Sequence, residues 1–170
     1  PLAVAVGENS VIYVSDTLSV PQQIWALNAD GTVVATFGKT EKLSFVNGLA
    51  VQADGSITVS DSNNAKLLVY APDGSLRGGM VRGDSPTPIG MPRGMAISDK
   101  GRLYIADTTA DIVRVYKADG SGIPVYSTEF GEPGDGDGAF LFPNSVAVDG
   151  EGRIFVTDRE NNRVQVWINK

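Results

Sequence analysis

The chain contains no cysteine and no histidine. The first absence removes disulfides, thiolate metal ligands and a thiol nucleophile, and it leaves the redox compartment open. The second removes the usual general base, Ser-His-Asp triads and imidazole-based zinc sites, so an imidazole-dependent enzyme is excluded for this segment. No apolar run reaches 18 residues, and no charged, then apolar, then small-residue leader opens the sequence, so it carries neither a membrane span nor an intact signal peptide. The first residue is Pro1 rather than Met, which points to processing or trimming, so the missing leader says nothing about the parent protein's compartment. Positive charge is scarce too: 14 basic residues face 20 acidic ones, a net charge of −6. That balance disfavours attraction to nucleic-acid phosphates or anionic membranes. At 170 residues and 42% hydrophobic, the chain has enough apolar material for a core.

What the sequence does have is a repeat. Asp16, Asp61, Asp107 and Asp158 recur about every 45 to 50 residues. Thirteen positions before each stands a small residue (Ala3, Gly48, Gly94, Ser145), and nine positions after each an aromatic one (Trp25, Tyr70, Tyr116, Trp167). In the third unit, Gly94-Met95-Ala96-Ile97 reads as a short strand a, and Asp99-Lys100-Gly101 as a tight turn. Strand b follows at 102–106 and is closed by Asp107; Ile112 to Tyr116 forms strand c, and a strand d runs through Pro124-Val125-Tyr126 or somewhat later. Each unit is therefore a four-stranded antiparallel meander, and the fold class is all-β. Such a meander cannot cover both of its faces alone. Radial stacking with strand a innermost gives a β-propeller, with blades at about 1–40, 41–88, 89–138 and 139–170. Alanine at the same strand a position (Ala5, Ala50, Ala96, Ala147) marks where neighbouring units are expected to converge.

Pro143 through Trp167, with Asp158, Asn161 and Arg163 at their characteristic places, resembles the NHL-repeat β-propellers. The third unit keeps Pro92, Gly94, Gly101 and Asp107 but has Ala110 and Ile112 where the family pattern has Asn and Arg; the second has Asn64 and Lys66. The resemblance implies a six-bladed ring, of which four units are present. An arc of that kind exposes the apolar faces of its first and last blades and an unpaired edge at the last strand c, which invites self-association.

The repeated aspartates read as structural: a carboxylate at a strand end accepts hydrogen bonds from the backbone of the following loop, as in an Asx-turn. Asn161 and Arg163, with Asn64 and Lys66, are expected to bond to that loop or to an adjacent blade. Asp135 and Asp137 begin a calcium-loop spacing, but Ala139 and Val146 stand where further ligands belong, so a flexible acidic turn is the preferred reading and calcium the alternative. Topology sorts the connections onto two faces. The a-to-b and c-to-d turns, with Glu8, Asp30, Asp54, Asp73, Asp99, Asp119, Asp149 and Glu151, make one regular acidic face. The b-to-c and d-to-a loops, with Lys39, Lys42, Arg77, Arg82, Arg93 and Arg159, make the irregular face where recognition is expected.

The leading functional expectation is a non-catalytic scaffold that presents the irregular face to a protein or peptide, with no cofactor. The resemblance also implies an alternative, a calcium-dependent hydrolase or lyase with an axial metal near Asn47 and Asn144, and a third reading as an RNA binder, disfavoured by the charge balance. The Asp-Gly-rich repeats resemble those of exported bacterial proteins, which points to an extracytoplasmic location.

Overall fold

The computed structural model describes residues 1–7, 10–81 and 88–168. Among these, every regular element is a strand, so no helix is long and apolar enough to cross a membrane. The first blade comprises β1 (Val4–Val6), β2 (Ile12–Asp16), β3 (Gln23–Leu27) and β4 (Val33–Phe37). The second comprises β5 (Val46–Val51), β6 (Ile57–Asp61), β7 (Lys66–Tyr70) and β8 (Leu76–Val81). The third comprises β9 (Pro92–Ile97), β10 (Arg102–Asp107), β11 (Ile112–Ala118) and β12 (Pro124–Phe130). A two-residue parallel pair, β13 (Glu132–Pro133) and β14 (Ala139–Phe140), leads into the fourth, with β15 (Pro143–Val148), β16 (Arg153–Asp158) and β17 (Arg163–Ile168). Each blade is an antiparallel meander in chain order, as expected from the repeat.

Turn chemistry explains the hairpins. In Gln52-Ala53-Asp54-Gly55, the Gly55 amide donates to the Gln52 carbonyl at 2.9 Å, and the Asp54 carboxylate accepts from the Ser56 amide at 3.0 Å. Gly55 sits at φ 80°, a conformation open to glycine and costly for most other residues. The same closure recurs at Gly31, Gly74, Gly101, Gly122 and Gly152. The period-2 alternation of each strand then sends its residues to two different neighbours. Leu49, Ile57, Val59 and Tyr70 pack against Tyr13, Ile24 and Phe37 of the first blade, whereas Ala50, Leu67 and Met80 pack against Met95, Leu103, Ile105 and Tyr116 of the third. A third core joins Tyr104, Ala106, Val113 and Val115 to Val146, Ile154 and Val156. Blade-to-blade packing is thus the hydrophobic core, with each buried aliphatic contributing about 1.5–3 kcal/mol.

Successive strands β1, β5, β9 and β15 are the parts of the blades that pack most intimately on one another, which places strand a innermost. The tightest point differs from the expected alanine. A Cβ on Gly48 would lie 2.3 Å from the Arg93 carbonyl oxygen, and one on Gly94 would lie 2.8 Å from the Ser145 Cα. Convergence therefore falls two residues before Ala50 and Ala96, while Ala147 is exposed because no described residue covers the outer face of the fourth blade. On that face Val164, Val166 and Ile168 are 59%, 53% and 72% exposed, and on the opposite end of the arc Val4 and Val6 are similarly open. These are the uncovered end faces that the repeat count leads one to expect.

Candidate functional site

Three of the four repeated aspartates act as clips. Asp61, Asp107 and Asp158 are wholly buried. Asp61 accepts from the Ser44 amide at 2.8 Å, Asp107 from the Gly90 and Met91 amides at 2.9 Å each, and Asp158 from the Leu141 amide at 2.8 Å. These amides belong to the connection that enters the blade, about seventeen residues upstream, and not to the loop that follows the aspartate. Only Asp16 makes the expected Asx-type turn, accepting from Leu18 and Ser19 at 3.1 and 3.2 Å. The clips hold the d-to-a connections of the irregular face in one conformation.

Side chains complete each clip. Asn64 bridges Asp61 and the Lys42 carbonyl; Asn161 bridges Asp158 and the Gly134 carbonyl. Arg163 donates from Nε to Asp158 at 2.8 Å and from Nη2 to the Gly136 and Ala139 carbonyls. In the third blade Ile112 occupies that arginine's place, and sequence reasoning found no replacement. The structure supplies one in Arg114, 3% exposed, whose Nε donates to Asp107 at 2.6 Å while Nη1 reaches Glu129 at 3.1 Å. Arg114 stands at the register position of Gln165, which also donates to Asp158. Positions two apart in a strand share a face, so either can reach the same carboxylate.

The acidities differ. Burial acts to raise the Asp158 carboxyl, but the bonds from Leu141, Asn161, Arg163 and Gln165 together hold it below the ordinary value. Burial pushes Asp61 up, outweighing Asn64, Ser44 and the charge of Lys66.

The clips frame a rim. In each of β5, β9 and β15 the pairing register slips by one residue directly opposite the aspartate strand end, and the extra residues are Asn47, Arg93 and Asn144. A bulge re-aims the inserted side chain away from the ladder. Blade-to-blade bonds fix the bulges: the Ser62 hydroxyl donates to the Pro92 carbonyl and the Thr108 hydroxyl to the Pro143 carbonyl, both buried. Just upstream stand Phe45 and Phe142, 41% and 42% exposed, at φ 63° and 52°. Their amides are held by the preceding blade, Phe45 N–H by Gln22 Oε1 at 2.7 Å and Phe142 N–H by Asp111 Oδ1 at 2.6 Å. A bulky residue in the left-handed region costs roughly 1–3 kcal/mol and persists only where its surroundings impose it. No motif in the sequence signals these two aromatics, because their distinction is conformational.

Basic residues divide between the faces. Lys39 and Lys42 are exposed on the connection between the first two blades, on the expected side. Arg159 lies in the b-to-c loop of the fourth blade, paired with Glu160 at 2.6 Å, its guanidinium 5.9 Å from the Phe142 ring centre. Arg93 donates to Asn144 Oδ1 at 2.7 Å and approaches Met91 Sδ at 3.8 Å, and its buried Nε has no partner. Arg77 departs from expectation: strand d begins at Leu76, so Arg77 lies within β8 and ion-pairs with Asp54 of the acidic turn face. Arg82 and Glu8 lie outside the described residues.

Asp135 and Asp137 are exposed in the loop between β13 and β14, with Asp137 4.0 Å from Arg163. Among the described residues no group of three or more carboxylates, imidazoles or thiols is arranged to hold a metal ion.

Comparison with known proteins agrees with this architecture. A family model for the NHL repeat matches residues 140–167. The E3 ubiquitin-protein ligase TRIM71 of Rattus norvegicus is 54% identical over 48 residues, 28% of this chain and 5% of that protein. Protein lin-41 of Caenorhabditis elegans is 42% identical over 60 residues, 35% of this chain and 5% of that one. NHL repeat-containing protein 3 of Homo sapiens is 32% identical over 84 residues, 49% of this chain and 24% of that one. The chain therefore spans only a small part of the length of these relatives. Among solved structures, a streptogramin B lyase superposes with a TM-score of 0.74 at 16% identity, over 98% of this chain and 54% of that one. The WD40 β-propeller domain of Doa1 gives 0.72 at 15% identity, over 98% and 49%. At such identities the likeness is one of fold. Residues 140–167 match the NHL repeat, and the fold along the whole chain is that of a β-propeller.

Proposed function

We propose that the chain is a non-catalytic binding scaffold that presents the inner rim of its irregular face to a protein or peptide. The observation that supports this most is the pair Phe45 and Phe142: equivalent positions on different blades, both exposed, both at positive φ and both anchored by the blade before. Exposed aromatics and arginines on a rigid support are the residue types that dominate binding energy at interfaces. The aspartate clips supply rigidity, so little ordering cost remains to be met on association. The chain has no histidine or cysteine, so imidazole- or thiol-based catalysis does not compete with this reading.

Selection of a displayed peptide library on the immobilised chain tests the reading. Enriched peptides should bind the intact chain and lose about tenfold or more in affinity on Phe45→Ala or Phe142→Ala, the usual cost of truncating an interface anchor. Peptides whose affinity is unchanged by both substitutions, or a library that yields no binder, would count against it.

A further inference from the structure

Arg93 is the least satisfied ion on the rim. It donates to a neutral amide oxygen at 2.7 Å and a thioether sulfur at 3.8 Å, and among the described residues its buried Nε has no partner and no carboxylate pairs with it. By contrast, Arg77, Arg114, Arg153, Arg159 and Arg163 each lie against an Asp or Glu. Burial, and then the nearby positive charge of Arg159, both disfavour the charged form of Arg93. A guanidinium that has shed part of its water and found no counter-ion is a cost the fold carries, and a buried donor left without a partner calls for a ligand.

The bulge in β9 makes this arrangement specific. Arg93 is the inserted residue there, as Asn47 and Asn144 are in β5 and β15, so one cation is flanked by two neutral amides at matching positions of adjacent blades. A depression of about 510 Å³, lined by Asn144, Ser145, Thr157, Arg159, Arg163 and Val164, opens on the uncovered face of the fourth blade and reaches Arg93 through its partner Asn144. The Asp158 carboxylate in that wall is already engaged by Asn161 and Arg163.

We infer that Arg93 is the receptor for a carboxylate side chain of the bound peptide, with Asn144 and Arg159 beside it and Phe45 and Phe142 taking flanking apolar residues. This rests on the binding reading above and names the partner's chemistry: an acidic residue within an apolar segment. Arginine suits the task because its planar donors meet both carboxylate oxygens at once.

The test uses library-selected peptides and the 170-residue chain. Replacing the peptide's Glu or Asp by Gln or Asn should weaken binding about tenfold or more, the scale of a charge-assisted hydrogen bond. The same replacement should have no further effect on the Arg93→Gln chain, and titration of the wild-type chain should move the Arg93 Nε–H resonance while the DG-turn amides stay put. Arg93→Lys, which keeps the charge without the fork, should recover only part of the affinity. Two control probes separate other anions: inorganic phosphate and a single-stranded oligouridylate should each shift that resonance less than the acidic peptide does at equal concentration. A Glu-to-Gln peptide that binds the wild-type chain equally well, or an oligouridylate that outcompetes the peptide, would overturn the inference. The first outcome would leave the aromatic-rim reading standing, because that reading is judged by Phe45 and Phe142 alone.

Discussion

At the scale of single residues, the aspartate clips carry different loads according to their partners. Removing Asp107 takes the closest counter-ion from the buried Arg114 guanidinium, which keeps Glu129 and the Pro88 carbonyl, so Asp107→Ala should cost about 3–5 kcal/mol in urea unfolding, as expected when one partner of a buried pair is lost. Asp61→Asn should be far milder, because burial already works against the Asp61 charge and an asparagine oxygen can still accept from Ser44. The two kinds of carboxyl also give opposite pH slopes. Asp158 is held below its ordinary value, so its contribution is present above that value and is lost as pH falls through the depressed one. Asp61 is raised, so its charging penalty is present at neutral pH and disappears as pH falls through the raised value. Stability of the wild-type chain relative to Asp158→Asn should therefore shrink on acidification, and relative to Asp61→Asn should grow. Parallel curves for the two variants would contradict this assignment. Phe45→Gly makes a further prediction: relieving φ 63° should leave stability unchanged or raise it by about 1 kcal/mol while peptide binding falls, the signature of strain retained for recognition.

At the scale of elements, the strands and turns were legible in the sequence because both are local: alternation fixes which residues share a face, and Asp-Gly fixes the hairpin. The clips were half legible. Four aspartates at fixed offsets announce a structural role, but the backbone donors to Asp61, Asp107 and Asp158 sit about seventeen residues upstream, and a carboxylate reaching back to Ser44 or Leu141 leaves no local trace. Arg114 was missed because the pattern looks for arginine five residues after the aspartate, whereas the geometry accepts it at seven. The bulges at Asn47, Arg93 and Asn144 are properties of pairing between strands, so no single segment reveals them. Arg77 was misplaced by a one-strand error in where the loop begins. The close approach of inner strands gives a direct check: Gly48→Ala should destabilise by about 1–3 kcal/mol, because its Cβ would meet the Arg93 carbonyl. By contrast, Gly48 replaced by the still larger valine should abolish folding of the second blade against the third, as read by loss of the Tyr70 and Tyr116 near-ultraviolet signal.

At the scale of the whole molecule, the chain is an arc of stacked sheets whose internal junctions are buried and whose two end faces are not. Each internal junction sets the first face of one blade against the second face of its neighbour, so the open face of the fourth blade and the open face of the first are complementary in kind. The 170-residue chain should therefore associate as its concentration rises, and lysine at Val166, on the uncovered face, should shift sedimentation towards monomer. On the proposed binding rim, Phe45, Arg93 and Phe142 are held by bonds between blades inside the arc. The most direct measurement of the account is amide hydrogen exchange of the chain with and without a selected acidic peptide. The rim segments at 44–48, 90–95 and 141–146 should gain protection while the turns at Gly55, Gly101 and Gly152 do not change; protection confined to those turns would contradict it.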